Sequence, residues 1–196
     1  MATIQDTLNE IEQIQEEFKL IEIESSLVDD LMGFSTSIYF DYISHAVLDQ
    51  ARTVDLSSIS YSKKYYELFA QKELLQTHVR FNNIGQLFVI WNAYEKYLRQ
   101  KYIDVCGSTE FKVSILFEDL TLKLDIEKRE QTLEEFEVIR NTRNSLFNPK
   151  FKPFQGSFCG TTFYFIPGEL VKPLRIMNVI RTMWEHFKRL EKINVA

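Results

Sequence analysis

Apolar residues recur along the start of the chain at the spacing of one helical face. Ile4, Leu8, Ile11, Ile14, Phe18 and Ile21 follow one another at intervals of 4, 3, 3, 4 and 3, a single stripe at 3.6 residues per turn. Glu10, Glu12, Glu16 and Glu17 supply the wet side. The pattern predicts a helix over 3–24 that must bury its stripe, with room to continue through Leu27 and Leu31 to a stop at Gly33. Ser35, Thr36 and Ser37 are candidate caps for a second helix over roughly 37–52. The polar stretch DLSSIS, 55–60, reads as a linker or cap region.

A long helical stretch is expected from Ser62 to Ile103. Its second half is the sharper, with Phe81, Ile84, Phe88, Trp91, Tyr94 or Glu95, and Leu98 in phase. Its length leaves room for a break near Asn82, Asn83 or Gly85, and Cys106–Gly107 ends it. Residues 108–122 suit either a short strand or a short helix with a loop, and the helix is the favoured reading. The next helix is expected over 124–146, with Asp125 as its cap. After Phe147 the period changes. Gly156, Gly160 and the run Thr161-Thr-Phe-Tyr-Phe-Ile166 predict a small hairpin, or a loop with one strand, over about 151–166, and Pro167–Gly168 mark a turn after it. Helical spacing returns from Pro173 to about Lys192. The fold class is therefore all-α, a bundle of four or five helices with a small β-hairpin inserted before the last one.

Composition agrees with a packed helical protein. Apolar residues make up 45% of the 196 positions and aromatics 14%, which argues against disorder. Only 6 Gly and 4 Pro leave little material for turns. Charge divides the chain. Residues 1–60 carry 12 acidic and 2 basic side chains, and residues 61–196 carry 16 acidic and 21 basic ones. The expected organisation is an acidic helical extension over 1–60 and a helical bundle over 61–196, together one continuous unit. A basic body permits an anionic partner, and it equally permits the acidic arm to dock on the body or on another subunit. Two cysteines make no disulfide framework, the N-terminus is not a signal peptide, and no apolar run is long enough for a membrane span. A cytoplasmic protein without membrane attachment is the expectation.

Candidate chemistry concentrates in Leu133–Pro149, LEEFEVIRNTRNSLFNP. Arg140, Asn141, Arg143 and Asn144 stand near a helix C-terminus, followed by Asn148. Arginines and amides so grouped can hydrogen-bond phosphate or ribose oxygens. They are also what a helix end favours on its own, since cations suit the dipole and asparagine with proline terminates the helix. Glu95, four residues after Trp91, is either a solvated boundary residue or a partner for a basic side chain of this segment. The paired carboxylates Glu134 and Glu135 need no chemistry. No phosphate-binding glycine loop, HExxH, CxxC or G-x-S-x-G is present, so neither a metal nor a cofactor is expected.

The run Ile139-Arg-Asn-Thr-Arg-Asn-Ser-Leu-Phe-Asn148 resembles the motif of HEPN domains, an all-helical family named for higher eukaryotes and prokaryotes nucleotide-binding. The likeness covers about residues 80–192, including the helix around FVIWNAYEKYLR, the aromatic and glycine hairpin and the final helix. Many HEPN proteins are metal-independent ribonucleases of toxin–antitoxin, phage-defence and RNA-processing systems, and two subunits commonly form one cleft. Arg140 matches the motif arginine and Asn141 its polar neighbour, while Arg143 and Asn144 form a second copy of the pair. Phe147 stands where the catalytic histidine is expected, and Pro149 replaces the amide or glycine that commonly follows.

The resemblance implies that Arg140 would stabilise charge on a phosphate. Phenylalanine has no titrating nitrogen, so the departure at Phe147 strikes at proton transfer. His45, His78 and His186 all lie in helical segments away from the motif and read as packed or surface histidines. Three functions remain open. The first is an RNA- or nucleotide-binding HEPN-type protein of a bacterial defence or toxin–antitoxin context, impaired in catalysis, homodimeric, with an antitoxin or other protein as a possible partner. The second is a ribonuclease with an unrecognised base. The third is a protein-interaction module with no nucleic-acid role.

Overall fold

The computed structural model describes residues 4–38, 72–146, 148, 150–166 and 176–193. The helix expected beyond residue 38, the 55–60 linker, residues 62–71, Phe147 and Pro149 lie outside the described residues. Six helices and one hairpin occur among those described. They are α1 (Ile4–Lys19), α2 (26–38), α3 (Lys72–Cys106), α4 (Val113–Lys123), α5 (Arg129–Ser145), β1 (Phe154–Phe158), β2 (Thr161–Phe165) and α6 (Ile176–Glu191). The class is the expected all-α bundle with a hairpin before the last helix.

The N-terminal stripe is used, but in two pieces. Ile11, Ile14 and Phe18 of α1 are buried, and Phe18 meets Trp184 of α6 edge-on at 4.3 Å. The single helix expected over 3–24 ends at Lys19 instead. The reason is local: Ser25 begins a new helix, its hydroxyl accepting the Leu27 amide at 3.3 Å and its carbonyl the Val28 amide at 3.0 Å. Gly33 does not stop the chain, and Ser35, Thr36 and Ser37 are not caps. They sit inside α2, where their hydroxyls donate to the carbonyls of Leu31, Met32 and Gly33 at 3.0–3.1 Å.

The acidic arm docks on the body. Arg181 binds Glu10 at 3.0 Å, and Glu17 accepts from the Trp184 indole at 2.8 Å and from Lys188 at 3.2 Å. These bonds tie α1 to α6, and side chains of both helices belong to one buried set with α3, α4 and α5.

Helix α3 is continuous through Gly85, so the break expected there does not occur. A side chain at Gly85 would meet nothing within 4 Å, so no packing demand interrupts the helix. Leu87, Ile90, Trp91, Tyr94, Leu98 and Tyr102 form its inward face. Gly107, at φ 66°, ends it by donating its amide to Ile103 at 2.8 Å. The short helix α4 then buries Leu116, Phe117 and Leu120. Asp125 does not cap α5. It adopts φ 48° in the turn, and α5 starts four residues later, after Lys128 at φ 53°. Phe136 of α5 stacks on Phe117 at 4.1 Å.

The hairpin closes through Cys159 and Gly160, both at positive φ, as a two-residue turn of this hand requires. Gly156 lets β1 lie against α5, because a Cβ there would collide with Val138. The Ser157 amide donates to Glu134 at 2.9 Å and fixes the same contact.

Candidate functional site

Helices α3 and α5 leave a polar groove between them near the end of α5. Its walls are Asn92, Glu95, Lys96, Arg99, Gln100, Ile103 and Arg143, around a volume of about 560 Å³. The α3 residues fall at helical intervals, so they line one face. Arg143 reaches the groove from the last turn of α5. Its guanidinium lies over the ring of Phe88, 5.3 Å from the centroid, and one terminal nitrogen donates to Asn144 at 2.9 Å. Its Nε is buried and has no partner.

Charge in the groove is unbalanced. Glu95 is committed within α3, accepting from Trp91 at 2.8 Å and from Arg99 at 2.6 and 3.0 Å. Arg99 also donates to the carbonyls of Glu110 and Phe111. That pair cancels, and Lys96 and Arg143 are left with no carboxylate partner among the described residues. Two cations facing one groove suit an anion. Other hollows offer less. The one lined by Asp125, Glu127, Lys128, Glu185, Lys188, Arg189 and Lys192 mixes carboxylates with its cations; Lys188 is engaged by Glu17 and Glu185 and Arg189 by Thr132, and Lys128 and Lys192 share the hollow with the three carboxylates.

The motif residues do not act as one cluster. Arg140 is not part of the groove wall and is held by Glu137 one turn earlier, through bonds of 3.0 and 2.6 Å. Asn141 is half-buried beside it. Asn144 orients Arg143. Asn148 is exposed and makes a turn, its side-chain oxygen accepting the Lys150 amide at 3.0 Å. Glu95 shares the groove with Arg143, yet its bonds go to Trp91 and Arg99 and not to the basic segment. Phe147 lies outside the described residues.

A buried polar chain joins His186 and Glu135, which the sequence reads as a packed or surface histidine and as a carboxylate without chemistry, to Tyr94. Tyr94 meets His186 Nδ1 at 2.9 Å, and His186 Nε2 meets Glu135 at 3.2 Å. Glu135 also accepts from Gln131 at 2.8 Å and has Arg189 at 3.8 Å. Burial holds His186 below its ordinary range, against the pull of Glu135. Burial works to raise Glu135, but hydrogen bonds from His186 and Gln131 and the nearby Arg189 outweigh it, so its carboxyl sits low. Neutral His186 with its proton on Nε2 fits both contacts: Tyr94 donates to Nδ1 and Nε2 donates to Glu135. Neither ring nitrogen is free, and the side chain is fully enclosed. Glu135 precedes Arg143 by two helical turns, roughly 12 Å along the axis. His186 is therefore a core residue and no replacement for a base at the groove. The signal for it is its place within the stripe of α6, between Met183 and Phe187.

Among the described residues no group of three or more His, Cys, Asp or Glu side chains could hold a metal ion, and no helix is long and apolar enough to cross a membrane. Comparison with known protein families, curated proteins and solved structures finds no match.

Proposed function

We propose that this chain is an RNA-binding protein of HEPN type, from a bacterial defence or toxin–antitoxin setting, whose α3–α5 groove holds RNA phosphates without cleaving them. The observation that carries this reading is Arg143: a cation oriented by Phe88 and Asn144, sharing a groove with Lys96, with no carboxylate among the described residues to neutralise it. Phosphate contacts of this kind give affinity without sequence preference. The lack of cleavage rests on Phe147 at the histidine position of the motif and on the enclosure of His186. The protein acts in the cytoplasm as a homodimer in which two such grooves meet.

The test is RNA affinity measured against salt for the wild type and for R140A/R143A. The expected result is weaker binding and a salt dependence shallower by about one released ion for each phosphate that goes unpaired. Unchanged affinity and slope would end the RNA reading. Protein interaction is the competing reading, and one observation favours it: the Arg140–Glu137 pair withdraws the motif's first arginine from any phosphate. It predicts that the same double variant alters oligomeric mass and leaves RNA aside.

A further inference from the structure

We propose that Phe111 is the stacking platform for a base at the rim of this groove, which makes the ligand single-stranded RNA with one base turned out; this rests on the RNA-binding reading above. Phe111 lies in the loop between α3 and α4 and is 89% exposed, the most exposed of the large apolar side chains among the described residues. Its ring packs on nothing in the core. Its backbone, in contrast, is fastened on both sides. Arg99, a wall of the groove, donates to the Glu110 carbonyl at 2.8 Å and to the Phe111 carbonyl at 3.1 Å. The Glu110 carboxylate in turn accepts the Lys112 amide at 2.7 Å. A single guanidinium thus sets both the groove wall and the position of an open aromatic ring. Ile103, 41% exposed, extends the apolar rim on the same wall.

A bare ring whose backbone is tied to the wall of a groove holding two cations without carboxylate partners is the arrangement that binds single strands: charge follows the backbone and a π face takes a base. A base within a duplex has both faces covered and cannot use it. Phe111 adds affinity that is insensitive to salt, whereas Arg143 and Lys96 add the salt-sensitive part.

The experiment uses the full chain with a single-stranded RNA of about 10 nucleotides carrying 2-aminopurine, and a fully paired duplex RNA as control. F111A is expected to weaken single-strand binding roughly 5- to 150-fold, to abolish the stacking quench of 2-aminopurine, and to leave the salt slope and duplex binding unchanged. F111W is expected to retain both affinity and quench. Wild-type affinity and quench in F111A, with binding still weakened in R143A, would overturn the stacking proposal and leave the RNA reading standing. No RNA binding by the wild type would remove both. A fall in oligomeric mass in F111A with RNA affinity intact would make Phe111 a protein contact and overturn the proposal. The exposed ring leaves F111A free to fold, and circular dichroism checks this.

Discussion

Arg143 of α5 rests on the ring of Phe88 of α3, its guanidinium carbon 5.3 Å from the centroid. The contact spans two helices and orients a cation whose charge no carboxylate among the described residues cancels. With Nη1 given to Asn144 and Nε buried, Nη2 is the nitrogen left to meet a phosphate, held in place by the ring under the guanidinium face. Lysine at this position would keep the charge and lose the stacking and the bond to Asn144 that orient it. R143K is therefore expected to hold the salt slope of the wild type while binding RNA several-fold more weakly, and R143A to lose about one unit of slope. Fluorescence anisotropy across a salt series separates the two. Either change should cost the fold less than about 1 kcal/mol, the size of a partly exposed cation–π contact.

The Tyr94–His186–Glu135 chain gives stability a pH dependence of defined sign. His186 in the folded protein titrates below the ordinary 6.5. As pH falls below that value the unfolded chain takes up the proton first, so stability declines. The loss is steepest between the unfolded and folded values, at no more than about 1.4 kcal/mol per pH unit for one proton. The low Glu135 adds a loss of the same sign at more acid pH, as its carboxylate is protonated. Urea midpoints between pH 7.5 and 5 should fall for the wild type and fall less for H186Q. A profile equally steep in H186Q would show that another group carries the effect.

The arm is held to the body by Glu17. It accepts the buried Trp184 indole and pairs with Lys188, and these outweigh the burial that opposes its ionisation, so its carboxyl sits low. E17A leaves the indole N–H without an acceptor, at a cost of about 1–3 kcal/mol. The expected readout is a lower urea midpoint and a red shift of tryptophan emission as water reaches Trp184. Unchanged emission would mean that α1 stays docked through Ile11, Ile14, Phe18 and the Arg181–Glu10 pair.

Gly156 lets the hairpin lie on α5. G156A drives a methyl group into Val138, and about 1–3 kcal/mol of destabilisation is expected from overpacking. V138A in the same chain should recover part of the loss by opening the space. A double variant no more stable than G156A would place the strain elsewhere.

More of the fold than of the site is legible in the sequence. Helical periodicity exposes the inward faces of α3 and α6, and two glycines with aromatic neighbours mark the hairpin, because these features are local. The break between α1 and α2 is masked by Ile21, which continues the stripe in phase. The hydroxyl of Ser25 decides it, and that signal is present in the residue type. Asp125 reads as a cap by its chemistry, whereas the backbone there turns left-handed and α5 begins later. The Glu137–Arg140 pair follows from a spacing of three and is legible in principle. The Tyr94–His186–Glu135 chain is not. It joins residues 92 and 51 positions apart, and no local pattern sets three polar groups facing one another inside a core. Arg143 stands out in the sequence by its charge near a helix end, but its seat on Phe88 depends on how α3 and α5 pack.

The most direct test is where RNA touches the molecule. Backbone and side-chain NMR shifts of the isotope-labelled protein, followed during titration with a short single-stranded RNA, would locate it. The account predicts shifts concentrated on Asn92, Lys96, Gln100, Phe111 and the Arg143 guanidinium, fading as salt is raised. Shifts centred elsewhere, or a spectrum unmoved at saturating RNA, would contradict it.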